Sequence, residues 1–307
     1  MAVAARKKGR RASASRKRTI ILLLMCLPAL IWLVLFKYVT LAGSWIAFTN
    51  FRPRLGVFGS EFVGLRNFEF LFSSAAALNA SRNTILLNGL FIVGTTIFTL
   101  FISALMFEVF KSRFAKYYQT TFLFPYFISW VIVSYFVFGF LSSNGIINGI
   151  LSQPIEFYQS PGWWPLILLL VVIWKTTGWG TLIYLAGMLA INPQLYEASR
   201  VDGASKVQQF FTITLPLIMP LVIIQFLLAL ANIFNADFGL FYQVPLNQAL
   251  LYDTTDVLDT FIYRALVQVG NVSMSAAADL YKSVIGFVLV ILANWMVRRI
   301  DPDKALF

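Results

Sequence analysis

Six long apolar runs, divided by polar segments, set the hydrophobic pattern of the chain. They cover residues 19–39, 84–107, 118–141, 164–189, 215–236 and 276–297. A helix spans about 30 Å of hydrocarbon with roughly 20 residues, at about 1.5 Å of rise each, and every run is long enough. None alternates as a barrel strand does, and lipid offers open backbone amides no partner. The pattern therefore predicts an all-α, polytopic membrane protein with six transmembrane helices. It divides the chain into a tail at 1–18, a membrane domain at 19–300 with a polar loop at about 190–214, and a tail at 301–307.

Two other connections are long. Residues 40–83 include the aromatic-rich GVFGSEFVGLRNFEFLF, and residues 237–275 carry Asp253, Asp256, Asp259 and Arg264. Each suits either a connector packed over helix ends or a docking face for another protein.

Composition agrees with the pattern. Apolar residues make up 59% of the chain and charged residues 12%, a balance foreign to soluble domains. The single cysteine, Cys26, lies inside an apolar run, so no disulfide forms within the chain. With no histidine at all, a His/Cys metal site is excluded.

A net charge of +11 raises the question of nucleic acid, and its distribution answers it. Eight of the 24 Lys and Arg fall in Arg6-Lys7-Lys8, Arg10-Arg11 and Arg16-Lys17-Arg18, directly before the first apolar run. That is the place of a cytoplasmic topology anchor; a nucleic-acid or specific lipid role is the lesser reading. The first run is too long for a cleaved signal and lacks a clear small-x-small site, so it is read as retained. With the amino terminus inside, Lys111, Arg113, Lys116, Arg200, Lys206, Arg298, Arg299 and Lys304 also fall inside. Only Arg52, Arg54, Arg66, Arg82 and Arg264 fall outside. Both termini and the loop at 190–214 are thus expected in the cytoplasm, in a cell (inner) membrane protein.

The loop has its own structure. Asn192-Pro193 opens a short helix, with Asn as cap and Pro where no amide is needed. Glu197 and Arg200 are spaced for an i,i+3 pair. Asp202-Gly203 stops the helix, and a second one from about Ala204 presents Val207, Phe210 and Phe211. Leu215-Pro216 starts the next span. Two short helices with glycine between them make a protruding knob, whose Leu195, Tyr196, Ala198 and Val201 suit a groove on a partner. The competing reading is an amphipathic hairpin resting on lipid.

Within the spans, Lys175 is the costliest residue. It lies about 16 Å along the helix that begins at Trp164, near mid-bilayer, at a cost of roughly 2.5–3.5 kcal/mol. It is either a donor in a translocation path or a structural charge bound by carbonyls or an acid. Trp174, Trp179 and Tyr184 are candidates for offering ring faces, and Gln225, Asn232 and Asn235 hydrogen-bonding groups, to a solute in such a path. Asp279 and Lys282 are spaced to neutralise each other, and Pro125 and Pro220 to kink their spans. No G-x-x-x-x-G-K-[ST] loop occurs, and no nucleophile-base pair can be built without histidine, so the chain is not expected to be an enzyme.

Spelled out as EASRVDGASKVQQFFTITLP, the loop resembles the EAA loop of permease subunits of binding-protein-dependent ABC importers. The resemblance implies that Glu197, Ala198, Ser199, Asp202, Gly203, Ala204, Phe210, Leu215 and Pro216 dock an ATPase subunit. Ser199 departs mildly, standing where that family usually has a second alanine. TLAGSWIAFTNFRPRLGVFGSEFVGLRNFEFLF, DTTDVLDTFIYRALVQVG and LYKSVIGFVLVILANWMVRRI resemble sugar-type permeases, especially the group for complex oligosaccharides and polysaccharides.

The family implies a type I importer fold, a homologous second permease, a cytoplasmic ABC ATPase dimer, an extracytoplasmic solute-binding protein, a sugar substrate and membrane lipid as surroundings. ATP and Mg would bind the ATPase, with no cofactor on this chain. The alternatives are a permease for another solute, such as glycerol phosphate or a peptide, and a stand-alone secondary transporter. The latter needs carboxylates within the spans, and these are scarce.

Overall fold

The computed structural model describes Thr19 and residues 21–300. The expected tails at 1–18 and 301–307 lie outside the described residues. Among the described residues, six helices are long and apolar enough to cross a membrane. The first is α1 (Ile21–Phe48), followed by α2 (Ala75–Val109). The third, Trp130–Ile150, is preceded by α3 (Ala115–Leu123) and opens with α4 (Trp130–Leu141), and the fourth contains α5 (Trp164–Leu189). The polar loop folds into α6 (Pro193–Val201) and α7 (Lys206–Gln209) before α8 (Leu215–Ala231). At the other end lie α9 (Phe238–Gln243) and α10 (Leu258–Val267), and the last span is α11 (Val272–Ile300).

The first span runs on to Phe48 rather than ending at 39, the second starts earlier than expected, and the third run is interrupted. Helix α2 begins at Ala75 rather than at 84, because Asn79, Ser81, Arg82 and Asn83 interrupt the apolar run over its first turns. Ser74 caps it, and Ala77 and Ala80 are fully buried against the residues around α10 and α11. Its polar residues have partners: Asn83 Nδ2 donates to the Asp253 carbonyl (3.0 Å), and Thr84 Oγ1 accepts from Leu258 N (2.9 Å).

The run at 118–141 is not one helix. After α3 the chain tightens into a 3₁₀ turn at Phe124–Phe127, then extends through Ile128 and Ser129 before α4 starts. Pro125 supplies no amide hydrogen to the ladder, and the Ser129 side chain accepts from Ile132 N as the new helix cap. Proline was expected to kink this span; the observed change is a full break.

The core lies where α2 and α5 cross. Leu87 and Phe91 of α2 meet Trp164, Leu168 and Val172 of α5, with Val133 of α4 and Leu240 and Phe241 of α9. Gly180 permits the crossing, since a Cβ there would sit 2.8 Å from Thr99 Cγ2.

By contrast, α1 is exposed from 21 to 42 and buries only its final turns, where Ala47 is fully enclosed. A two-stranded antiparallel pair, β1 (Thr49–Asn50) with β2 (Glu61–Phe62), closes that junction. Asn67 Nδ2 ties it down by donating to the carbonyls of Ala47 and Thr49, both at 2.9 Å.

Lys282 makes its expected i,i+3 ion pair with Asp279 and a shorter one with Asp259. Its ammonium lies 2.7 Å from Asp259 Oδ1 on α10 and 3.8 Å from Asp279. The same Asp259 accepts from Ala236 N (2.9 Å), so one carboxylate joins α11, α10 and the end of α8.

Candidate functional sites

The loop at 190–214 is a braced block. Asn192 caps α6 through Gln194 N (3.0 Å), and Gly203 turns the chain at φ +79°. Ser205 and Gln208 then form a capping box that starts α7. Residues Phe210–Thr214 widen into a single π turn, in which Leu215 N reaches back to Phe210 O. Pro216 follows immediately and removes a donor from the regular ladder, the usual setting for such a bulge.

Three side chains fasten the block to the bundle. The Tyr196 hydroxyl lies 2.8 Å from Thr214 Oγ1, and its ring packs on Phe107 of α2 with centroids 5.6 Å apart. Burial pushes the Tyr196 phenol above its ordinary pKa, while the Thr214 contact lowers it. Phe210 packs with Tyr184, Met188 and Ile218. Lys206 meets Glu108 at 2.7 Å, with side chains 61% and 43% exposed. At that exposure the pair contributes at most about 1 kcal/mol.

The residues the sequence assigns to docking divide by face. Glu197, Ala198, Asp202 and Gly203 are exposed, as are Leu195 and Val201, the latter at 88%. Ser199, Ala204, Phe210 and Leu215 are half-buried, with Ser199 Oγ donating to the Tyr196 carbonyl. Pro216 is exposed at the head of α8. Tyr196 does not join the outward face, because its hydroxyl finds Thr214 inside. The expected Glu197–Arg200 pair is not formed among the described residues; Arg200 Nε instead donates to the Tyr196 carbonyl (3.2 Å).

Deeper in the bundle a cavity of about 190 Å³ opens between α2, α5 and α8. Thr95, Thr96, Thr99 and Thr176 line it together with Trp179, Tyr184 and Gln225. Thr95 and Thr176 donate to carbonyls of their own helices. Among the described residues, the Tyr184 hydroxyl and the Gln225 carboxamide make no hydrogen bond within the chain. The wall therefore carries aromatic faces and unused polar groups but no charge. A larger cavity of about 490 Å³ beside the block, walled by Phe101, Leu105, Phe211 and Leu215 among others, is mainly apolar. It offers a hydroxyl-rich ligand little.

Of the seven residues expected along a substrate path, the structure brings Trp179, Tyr184 and Gln225 to one cavity. Trp174 is exposed outside its wall, and Asn232 and Asn235 lie at the end of α8, bonded to Leu228 O and to each other. Lys175 is buried, its ammonium donating to the carbonyls of Pro125 (3.2 Å), Tyr126 (2.9 Å) and, in close contact, Ile128. The threonines were missed in the sequence. Thr95, Thr96 and Thr99 in α2 and Thr176 in α5 mark one helix face each, which becomes visible only once the two helices are paired.

These features define a polytopic helical membrane protein with a rigid block at one end of its bundle and an uncharged, threonine-bearing cavity between α2, α5 and α8. The chain belongs to the family of binding-protein-dependent transport system inner membrane components, which its residues 70–304 match. It is 35% identical over 290 residues to the polygalacturonan/rhamnogalacturonan transport system permease protein YteP of Bacillus subtilis (strain 168). That similarity covers 92% of this chain and 89% of YteP. Its fold is similar to a chain of a bacterial ABC transporter involved in the import of the acidic polysaccharide alginate, with a TM-score of 0.84 and 33% identity. The match covers 95% of this chain and 99% of the other. A second structure, of a bacterial alginate ABC transporter in complex with an alginate pentasaccharide-bound periplasmic protein, matches at TM-score 0.84 and 33% identity over 94% and 97%.

Proposed function

We propose that this chain is a permease subunit of an ATP-driven oligosaccharide or polysaccharide importer and forms half of the translocation pathway. The observation that carries the reading is the braced block at 190–214. A knob held by Tyr196, Phe210 and Lys206 delivers an applied force to α2 and α8, whereas a loose hairpin would absorb it. Its exposed face, from Leu195 to Gly203, suits a groove on a separate ATPase that binds ATP and Mg. Closure of an ATPase dimer then rotates the helices as rigid bodies between outward- and inward-facing arrangements.

The cavity supports a saccharide as cargo. Threonine hydroxyls, the Gln225 carboxamide and the Tyr184 hydroxyl match sugar hydroxyls, and Trp179 offers a face for the C–H side of a ring. The polysaccharide transporters named above point to the same substrate class. The reading includes a homologous second permease, an extracytoplasmic solute-binding protein, and both termini in the cytoplasm of a cell (inner) membrane protein.

The test is assembly. Glu197→Trp should insert in the membrane normally but fail to co-purify with the ATPase. Undiminished co-purification of that variant would count decisively against the docking role.

A further inference from the structure

The break in the third apolar run leaves the backbone carbonyls of Tyr126 and Ile128 outside any helical ladder, beside the buried Pro125, whose carbonyl accepts from Ile128 N (3.2 Å). In transporters with discontinuous helices, such unwound carbonyls coordinate a cation drawn from solution. This chain fills the position with its own cation: the Lys175 ammonium meets all three carbonyls. Its three donors are thereby used, and none is left for a ligand.

The surroundings are built to the same end. The ammonium lies 5.1 Å from the centre of the Trp130 ring, at the first residue of α4. Trp130 Nε1 donates to Asp237 Oδ2 (2.7 Å), and that carboxylate caps α9 through Gly239 N. Farther along α5, Gly178 lets the end of α3 approach: a Cβ there would sit 1.9 Å from Phe122 O. Lys175 and Gly178 together hold both halves of the broken span against α5.

One residue of the break faces the cavity wall. Tyr126, whose carbonyl Lys175 holds, stacks on Trp179 with ring centroids 5.1 Å apart and planes inclined by 13°. Trp179 lines the threonine-rich cavity. A continuous path therefore runs from the ammonium through the Tyr126 backbone and ring to the aromatic face offered to cargo.

We propose that Lys175 is a positioning residue for transport: as a tethered cation it fixes the broken third span and, through Tyr126, sets the Trp179 ring against the saccharide. This rests on the cavity reading above. It removes Lys175 from direct contact with cargo and makes the geometry independent of any dissolved ion.

A double-mutant cycle in the complete importer, reconstituted in proteoliposomes with its partner permease, ATPase and binding protein, tests it. The probe is a mixed oligosaccharide digest of polygalacturonan and alginate, with uptake measured per assembled complex. Lys175→Met and Trp179→Leu should each lower uptake about tenfold, and their combination should fall no more than about twofold further. Losses that multiply overturn the positioning role and leave the cavity reading intact, and wild-type uptake by Lys175→Met does the same. Unchanged uptake by Trp179→Leu, or none by the unmutated importer, defeats the cavity reading and this inference with it. Where Lys175→Met does not assemble, Lys175→Arg enters the same cycle under the same criteria. It keeps the charge but replaces three convergent donors with a planar fork.

Discussion

The Tyr196 hydroxyl and Thr214 Oγ1, 18 residues apart in the chain, lie 2.8 Å from each other and close the block at 190–214 upon itself. Tyr196→Phe keeps the ring contact with Phe107 and removes this one bond, worth about 1 kcal/mol. The block should still dock but yield under load. The expected result is normal ATPase co-purification with less saccharide moved per ATP hydrolysed. Burial raises the Tyr196 pKa, so the neutral phenol, and the stability tied to it, is fully present below the ordinary value of 10.0. That contribution is lost as pH climbs through the raised value. An unchanged transport-to-hydrolysis ratio in Tyr196→Phe would remove the bond from the coupling path.

Gly203 holds φ at +79° with open space around its missing Cβ, so a side chain there meets strain rather than collision. Gly203→Val should cost roughly 1–2 kcal/mol locally and turn the exposed face of α6 away from its partner. Gly203→Asn, which tolerates this backbone, should be milder. Equal co-purification of the ATPase with both variants would show that the turn does not orient the docking face.

Gly178 presents the opposite case. An alanine Cβ would press on the backbone of Phe122 and Leu123, which cannot rotate aside. Gly178→Ala should destabilise the bundle by about 1–3 kcal/mol or more through overpacking. Gly89→Ala, with nothing within 4 Å, should be neutral or slightly stabilising. Thermal aggregation of the two detergent-solubilised variants makes the comparison, and similar midpoints would refute the close approach of α3.

Lys282 offers a direct contrast between two carboxylates. Asp259 lies 2.7 Å from it and is 18% exposed, whereas Asp279 lies 3.8 Å away and is 65% exposed. Asp259→Asn should cost about 3–5 kcal/mol by stranding a buried ammonium, while Asp279→Asn should be almost silent. The yield of folded protein after extraction reads the difference. A reversed order would reassign the pairing.

The spans were legible because hydrocarbon thickness fixes how long an apolar run must be, and the block because Asn192-Pro193, Asp202-Gly203 and Pro216 punctuate it. The break at Pro125 was harder to see, because proline in an apolar run signals a kink and its severity depends on which group donates to the freed carbonyls. The donor here, Lys175, lies 50 residues away. Tyr196 was misplaced for a similar reason: on an isolated amphipathic helix it belongs with Leu195 and Val201, and only the π turn brings Thr214 beneath it. The cavity's threonines were invisible one helix at a time.

The exposed first helix has one more consequence. Among the described residues its final turns around Ala47 are buried, while residues 21–42 are exposed along their length. A rod clamped at one end takes its tilt from its surroundings. Bilayer thickness and neighbouring subunits, rather than this polypeptide, decide where its free end points, and a detergent micelle will aim it differently from a membrane.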